Sequence, residues 1–357
     1  MAGKRRRFVV AMVLLCALLF VAAVVAVSIG TTGQRLVGFS EAAKALVGVS
    51  VSEEVKTIVQ YRLSRVILAA IVGATLGAAG TTLQALLRNP LADPYILGVS
   101  GGGALGASLY ITFGAPAAAF AGFAAAAQWS GFSGLAAAAF AGSLTTSVLV
   151  LWAGRQRGHI LPGTLLLVGV MINAICGAGV LALTYLTDVA RSHDIVVWLM
   201  GNLGTLYLSP AALGIAGAAA IVLTALLWLL GGRLNLMSLG DEEATHLGVN
   251  VGRTRLAAFV LSALITGLSV ALAGPIGFVG LVVPHIARLI VGADHRLLYP
   301  AAAVFGAAFL ILADAAARAA ALLPHGQGEL PVGILTAALG GPFFIWLLRT
   351  RRGRYFE

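Results

Sequence analysis

From Arg62 to Gly103 the chain reads RLSRVILAAIVGATLGAAGTTLQALLRNPLADPYILGVSGGG, and this run restricts the fold more than any other. Two arginines stand at the mouth of an apolar segment. A proline-bracketed polar turn, NPLADP, closes its foot, and a glycine-rich second segment starts at once. The 23 residues from Val66 to Arg88 contain only Gln84 and the final arginine as strongly polar side chains. About 20 apolar residues in a helix cross the ~30 Å hydrocarbon core of a bilayer. The run therefore reads as a membrane-crossing helix.

Composition extends that reading to the whole chain. Hydrophobic residues make up 60% and charged residues 10%, against roughly 25% charged in ordinary globular proteins. Too few polar groups exist to solvate the surface of 357 residues, so lipid must be part of the solvent. The 45 glycines, about 13% of the chain, exceed the usual ~7%. In a bilayer, small residues let helix backbones approach closely, because no hydrophobic force drives helices together. The expected fold is all-α: one polytopic transmembrane domain over residues 1–357, packed as a multi-helix bundle. Cys16 and Cys176 both sit in apolar segments, which suggests neither a disulfide framework nor a cysteine metal site.

Segmentation by apolar length predicts about ten spans, near 8–28, 62–87, 94–113, 134–153, 161–186, 210–230, 254–273, 276–291, 298–322 and 332–349. The first follows KRRR as a signal peptide would, but its apolar run of about 21 residues exceeds the roughly 7–15 of a signal h-region. It is read as an uncleaved helix. The alanine-rich stretch 114–133 carries no assignment.

With the N-terminus in the cytoplasm, 16 of the 23 basic residues fall on the cytoplasmic side. These are Lys4, Arg5, Arg6, Arg7, Arg88, Arg155, Arg157, Arg233, Arg253, Arg255, Arg288, Arg296, Arg349, Arg351, Arg352 and Arg354. Arg35, Lys44, Lys56, Arg62, Arg65, Arg191 and Arg318 remain outside. Both termini are then cytoplasmic. This topology accounts for the net charge of +10, and nucleic acid is not an expected partner. Trp152, Trp228 and Trp346 near cytoplasmic helix ends, and Trp129 and Trp198 near outer ones, fit an aromatic belt.

The search for an energy source is informative by what is missing. No G-x-x-x-x-G-K-[ST] loop occurs and the lysines are 4, 44 and 56, so ATP cannot be bound through a P-loop of this chain. An ion-driven carrier usually displays carboxylates within its spans. Here the acid deep in an apolar segment is Asp314, with Arg318 at i+4, the spacing of an intrahelical ion pair. The six histidines, His159, His193, His246, His285, His295 and His325, contain no i, i+4 pair, and no resident metal is expected. The polar excursion from Gly231 to Arg255 holds a short helical signal, DEEATHLGV, between Gly240 and the stop at Gly248. A loop of this kind suits docking of a soluble partner.

Several ordered stretches resemble one family. They are the opening run, WLMGNL at Trp198–Leu203, DEEATHLGV, GPIGFVGLVVPHIARLIVGADHR at 274–296 and ELPVGILTAALGGPFFIWLL at 329–348. Together they look like the permease subunit of the type II ATP-binding-cassette (ABC) importers for iron-siderophores, haem and cobalamin. The resemblance implies a ten-helix homodimer in the bacterial inner membrane, with the path along the dimer axis. It also implies two separate ATPase subunits on the cytoplasmic face, a periplasmic or lipid-anchored binding protein outside, no cofactor and no enzymatic activity in this chain. By position, Asp241, Glu242, Glu243, His246, Leu247 and Gly248 would contact the ATPase within the coupling loop 231–255. Arg62, Arg65 and Arg318 would dock the binding protein, and Asn89 and Leu91 would form a cytoplasmic gate. Where a second polar gate is expected, around Leu161–Thr164, the chain has Pro162 and Gly163. The alternative reading is an ion-coupled secondary transporter that works without an ATPase.

Overall fold

The computed structural model describes residues 2–28, 52–114, 132–156, 159–204, 208–320 and 329–350, together with Glu41 and Lys44. Arg35, Trp129, Arg157, His325, Arg351, Arg352, Arg354 and most of the unassigned stretch 114–133 lie outside them. The described residues form twelve α-helices: α1 (Ala2–Ser28), α2 (Glu53–Leu86), α3 (Val99–Phe113), α4 (Gly134–Ala153), α5 (Pro162–Leu186), α6 (Val189–Leu199), α7 (Pro210–Met237), α8 (Asp241–His246), α9 (Val251–Ala273), α10 (Val279–Val291), α11 (His295–Ala319) and α12 (Val332–Thr350). A 3-10 turn, Pro94–Leu97, precedes α3. A two-residue antiparallel pair, β1 (Arg155–Gln156) with β2 (His159–Ile160), joins α4 to α5.

Seven helices, α1, α2, α4, α5, α7, α9 and α11, are long and apolar enough to cross a membrane. Five of them start at short polar side chains that accept from the first turn's unpaired N–H groups. Ser52 caps α2, Ser133 caps α4, Ser209 caps α7, Asn250 caps α9 and Asp294 caps α11. The cap at Ser52 explains why α2 begins nine residues before the expected span: its first turns, with Glu53, Glu54 and Lys56, are too polar for a hydropathy window to include.

At 34 residues, α2 is about 51 Å long and forms the axis of the bundle, packed by α1, α7, α9, α10 and α11. Its glycines make this possible. A Cβ on Gly73 would lie 2.1 Å from the Gly306 carbonyl oxygen of α11, and one on Gly80 would lie 1.8 Å from that of Gly280 in α10. The few polar groups of α2 are matched across helices. Thr75 Oγ1 meets Ser269 Oγ of α9 at 2.7 Å, Thr82 Oγ1 meets the Tyr299 hydroxyl of α11 at 2.8 Å, and Gln84 Nε2 donates to the Leu281 carbonyl at 3.2 Å. Such bonds within a bilayer contribute about 0.6 kcal/mol each.

Three expected spans are shorter than a bilayer. α3 has 15 residues because Pro94 and Gly98, the latter at φ +81°, separate it from the 3-10 turn. α10 has 13 because residues 274–278 take an irregular path, with Gly274 at φ +69° and Phe278 at φ +68°. The apolar part of α12 is also short. Irregular backbone at this depth is tolerated where protein covers it: Ile276 N donates to the Tyr95 hydroxyl at 2.8 Å, and Gly333 N to the Gly201 carbonyl at 3.2 Å. α6 lies outside all ten expected segments. Trp198, placed by sequence in an outer aromatic belt, is instead 5% exposed and packs against α3 and α4 residues such as Ala104 and Ala139, because α6 folds back onto the bundle; Trp152, Trp228 and Trp346 are exposed.

Candidate functional site

At the foot of α2 the chain reverses through residues 87–93. Arg88 takes the left-handed conformation at φ +47°, and Asn89 N then donates to the Gln84 carbonyl at 3.2 Å. Asn89 Oδ1 accepts from Leu91 N at 3.0 Å, the Asx turn expected of an Asn beside proline. Asp93 Oδ1 accepts from Tyr95 N at 2.8 Å. Just beyond the turn, Asn173 of α5 ties the 3-10 segment to the start of α3: its Nδ2 donates to the Tyr95 carbonyl at 2.8 Å while Oδ1 accepts from Gly101 N at 3.0 Å. Leu91, with Val170, Asn173, Phe278 and Leu281, borders an open groove of about 380 Å³. Asn89 and Leu91 thus sit in a rigid turn, one as its internal brace and the other on a groove wall. Sequence reading passed over Asn173, although a lone amide within an apolar span was its signal.

α8 is a six-residue helix with two faces. Ala244 and the following Val249 are buried in one cluster with Leu86, Leu234, Met237 and Phe259, which anchors it to α2, α7 and α9. Glu242, Glu243, His246, Leu247 and Gly248 are exposed, and Leu247 at 58% is a large apolar side chain in solvent. The helix stops in a Schellman motif: Val249 N donates to the Ala244 carbonyl and Gly248 N to that of Thr245, both at 2.9 Å, with Gly248 at φ +84°. Asp241 differs from its neighbours in being paired within the chain while its side chain stays 40% exposed. Its carboxylate accepts from Arg88 Nη2 at 2.5 Å and from Arg255 Nη2 at 2.6 Å.

The three arginines of the expected docking set converge at the other end of the bundle, and they are buried: Arg62 is 1%, Arg65 3% and Arg318 2% exposed. Arg65 reaches both Asp314 oxygens through Nε at 3.0 and 3.1 Å, donates to Oδ1 through Nη2 at 2.8 Å and pairs with Glu329 through Nη1. Arg318 Nε donates to Asp314 Oδ2 at 3.0 Å, the i, i+4 pair expected from sequence. The same arginines close the C-terminus of α1. Arg62 Nη1 donates to the Val27 and Ser28 carbonyls at 3.0 and 3.1 Å, and Arg318 Nη2 to that of Ala26 at 2.9 Å. Cations there satisfy orphan carbonyls and complement the helix dipole. Glu329, unnoticed in sequence, is the acid of this cluster nearest solvent, with 27% of its side chain exposed against 1% for Asp314.

A helical bundle with a buried charge cluster at one end, and at the other a braced turn beside a protruding short helix, describes a polytopic transport subunit. The FecCD transport family matches residues 11–350, and the chain belongs to that family. It is 45% identical over 82% of each chain to the hemin transport system permease protein HmuU of Yersinia pestis. It is 40% identical to the cobalamin import system permease protein BtuC of Halobacterium salinarum, over 82% of this chain and 73% of the relative. Among solved structures, a chain described as part of a metal-chelate type ABC transporter in an inward-facing conformation superposes with a TM-score of 0.77 at 31% identity, covering 96% of this chain and 99% of that one. Membership makes this chain a membrane transport permease rather than an enzyme.

Proposed function

We propose that this chain is the translocation subunit of a homodimeric ABC importer for a metal chelate, a haem, cobalamin or iron chelate, in a bacterial inner membrane. Ten spans would carry it across, with α3, α10 and α12 supplementing the seven long helices and both termini in the cytoplasm. Two ATPase copies would seat on α8, and a periplasmic or lipid-anchored binding protein would deliver cargo from outside. The observation that carries the reading is the division of α8: an apolar anchor inside, and Glu242, Glu243, His246, Leu247 and Gly248 exposed to solvent. A rigid-body push on such a helix moves the spans to which it is anchored.

Asn89 and Leu91 are the gate residues of this scheme, joined to each other by the Asx turn. Arg62, Arg65 and Arg318 form the docking cluster. Since Glu329 is its most solvent-accessible acid, acidic side chains on a binding protein would compete with Glu329 for Arg65, and such pairing steers association more than it tightens it. The ion-coupled alternative loses support because both Asp314 oxygens are occupied by arginines, a poor arrangement for a proton relay.

The test is reconstitution in proteoliposomes with the ATPase and with binding protein loaded in turn with haem, a ferric siderophore or cobalamin. ATP-dependent uptake of one cargo, unaffected by a protonophore, is expected. Uptake by the lone chain down an ion gradient would overturn the proposal.

A further inference from the structure

Asp241 is the residue of α8 that cannot face an ATPase with a free carboxylate, because each of its oxygens is held by an arginine from a different element. Arg88 follows α2, and its Nη2 also donates to the carbonyl of Met237, the last residue of α7, at 2.8 Å. Arg255 lies in the second turn of α9, and its Nη1 donates to the Ile160 carbonyl of β2 at 3.3 Å. One carboxylate therefore joins α8 to α2, α7, α9 and the β1–β2 pair. Arg88 also precedes Asn89 directly and holds the left-handed φ of +47° at which the chain reverses into the gate turn.

We propose that Asp241 is a positioning residue and that the Arg88–Asp241–Arg255 clasp is the link through which displacement of α8 reaches the gate turn at Asn89 and Leu91. This role rests on α8 being the helix that meets the ATPase. The Arg88–Asp241 pair contributes little to stability, since its side chains are 47% and 40% exposed and solvent screens exposed ion pairs. The geometry of the clasp is nonetheless well suited to transmit force: two charge-assisted bonds restrain α8 at its first residue. The buried anchors Ala244 and Val249 share an apolar cluster with Leu86 and Ala92, and the clasp adds to that packing a directional, charge-assisted connection from α8 to Arg88 at the head of the turn.

The experiment uses the permease–ATPase complex in nanodiscs, with a nitroxide at Leu91→Cys in a Cys16→Ser/Cys176→Ser background. The distance between the labels of the two copies is read before and after trapping with ATP and vanadate. The parent shows a displacement. In Arg88→Gln the ATPase co-purifies and hydrolyses ATP within about twofold of the parent, but the displacement falls below a third. Asp241→Asn loses the displacement likewise, and Asp241→Glu and Arg88→Lys retain most of it. A parental displacement in Arg88→Gln and Asp241→Asn overturns the clasp, as does loss of the ATPase from Arg88→Gln. Leu247→Ala is the control for the underlying reading. If it leaves ATPase association unchanged, α8 is not the docking helix, whatever the clasp variants do.

Discussion

Asp314 lies in the body of a membrane bundle, 1% exposed, and both its oxygens accept hydrogen bonds from the guanidinium groups of Arg65 and Arg318. Desolvating such ions costs several kcal/mol each, so the cluster stabilises only while it is complete. Arg65→Leu should then destabilise the protein by about 3–5 kcal/mol, read by denaturant unfolding in detergent. Arg65→Leu combined with Asp314→Leu should cost less than the single change, because neither charge is left alone. Glu329→Gln, at the rim, should cost within about 1 kcal/mol; a result equal to Arg65→Leu would mean that Glu329, not Asp314, is the principal partner. The sequence announced Asp314–Arg318 by its i, i+4 spacing. It could not announce Arg65, which lies 249 residues from Asp314 and 264 from Glu329 and meets them only when α2 packs on α11.

At the scale of elements, glycines decide where backbones touch and where helices stop. Gly80→Val would drive a side chain into the carbonyl of Gly280, and no neighbouring backbone can yield that far without parting α2 from α10. The expected outcome is loss of monodisperse protein in size-exclusion chromatography, while Gly163→Ala, at a position open to space, stays unaffected. Gly248→Ala would force an L-residue into the left-handed region at a cost of roughly 1–2 kcal/mol. That strain is confined to α8, so it should weaken ATPase co-purification several-fold while leaving the thermal midpoint of the bundle in place. α8 itself was legible because Gly240 and Gly248 bracket DEEATH. α6 was not, because eleven residues with Arg191, His193 and Asp194 among them fall below any membrane-length window.

For the whole molecule, apolar surface is left where partners or lipid must cover it. The membrane windows of α5 and α7 are only 22% and 28% buried, against 83% for α2, and α5 exposes Leu167, Val170, Met171, Ile175 and Leu181. Purified alone, the chain should hydrolyse no ATP and move no chelate. ATP hydrolysis should appear on addition of the ATPase and uptake on further addition of loaded binding protein, and a protonophore should leave the uptake rate unchanged.

The sequence by itself determined that this is a polytopic α-helical membrane subunit without its own nucleotide site, since span length, charge placement and the missing P-loop are properties of the linear chain. It also marked the segments to which the proposed gate, coupling and docking residues belong. Only the tertiary structure decided which of those side chains face solvent and which are spent on internal pairing. Burial of Arg62 and Arg65 and the pairing of Asp241 with Arg88 depend on packing between helices far apart in sequence, and local periodicity carries no trace of such contacts.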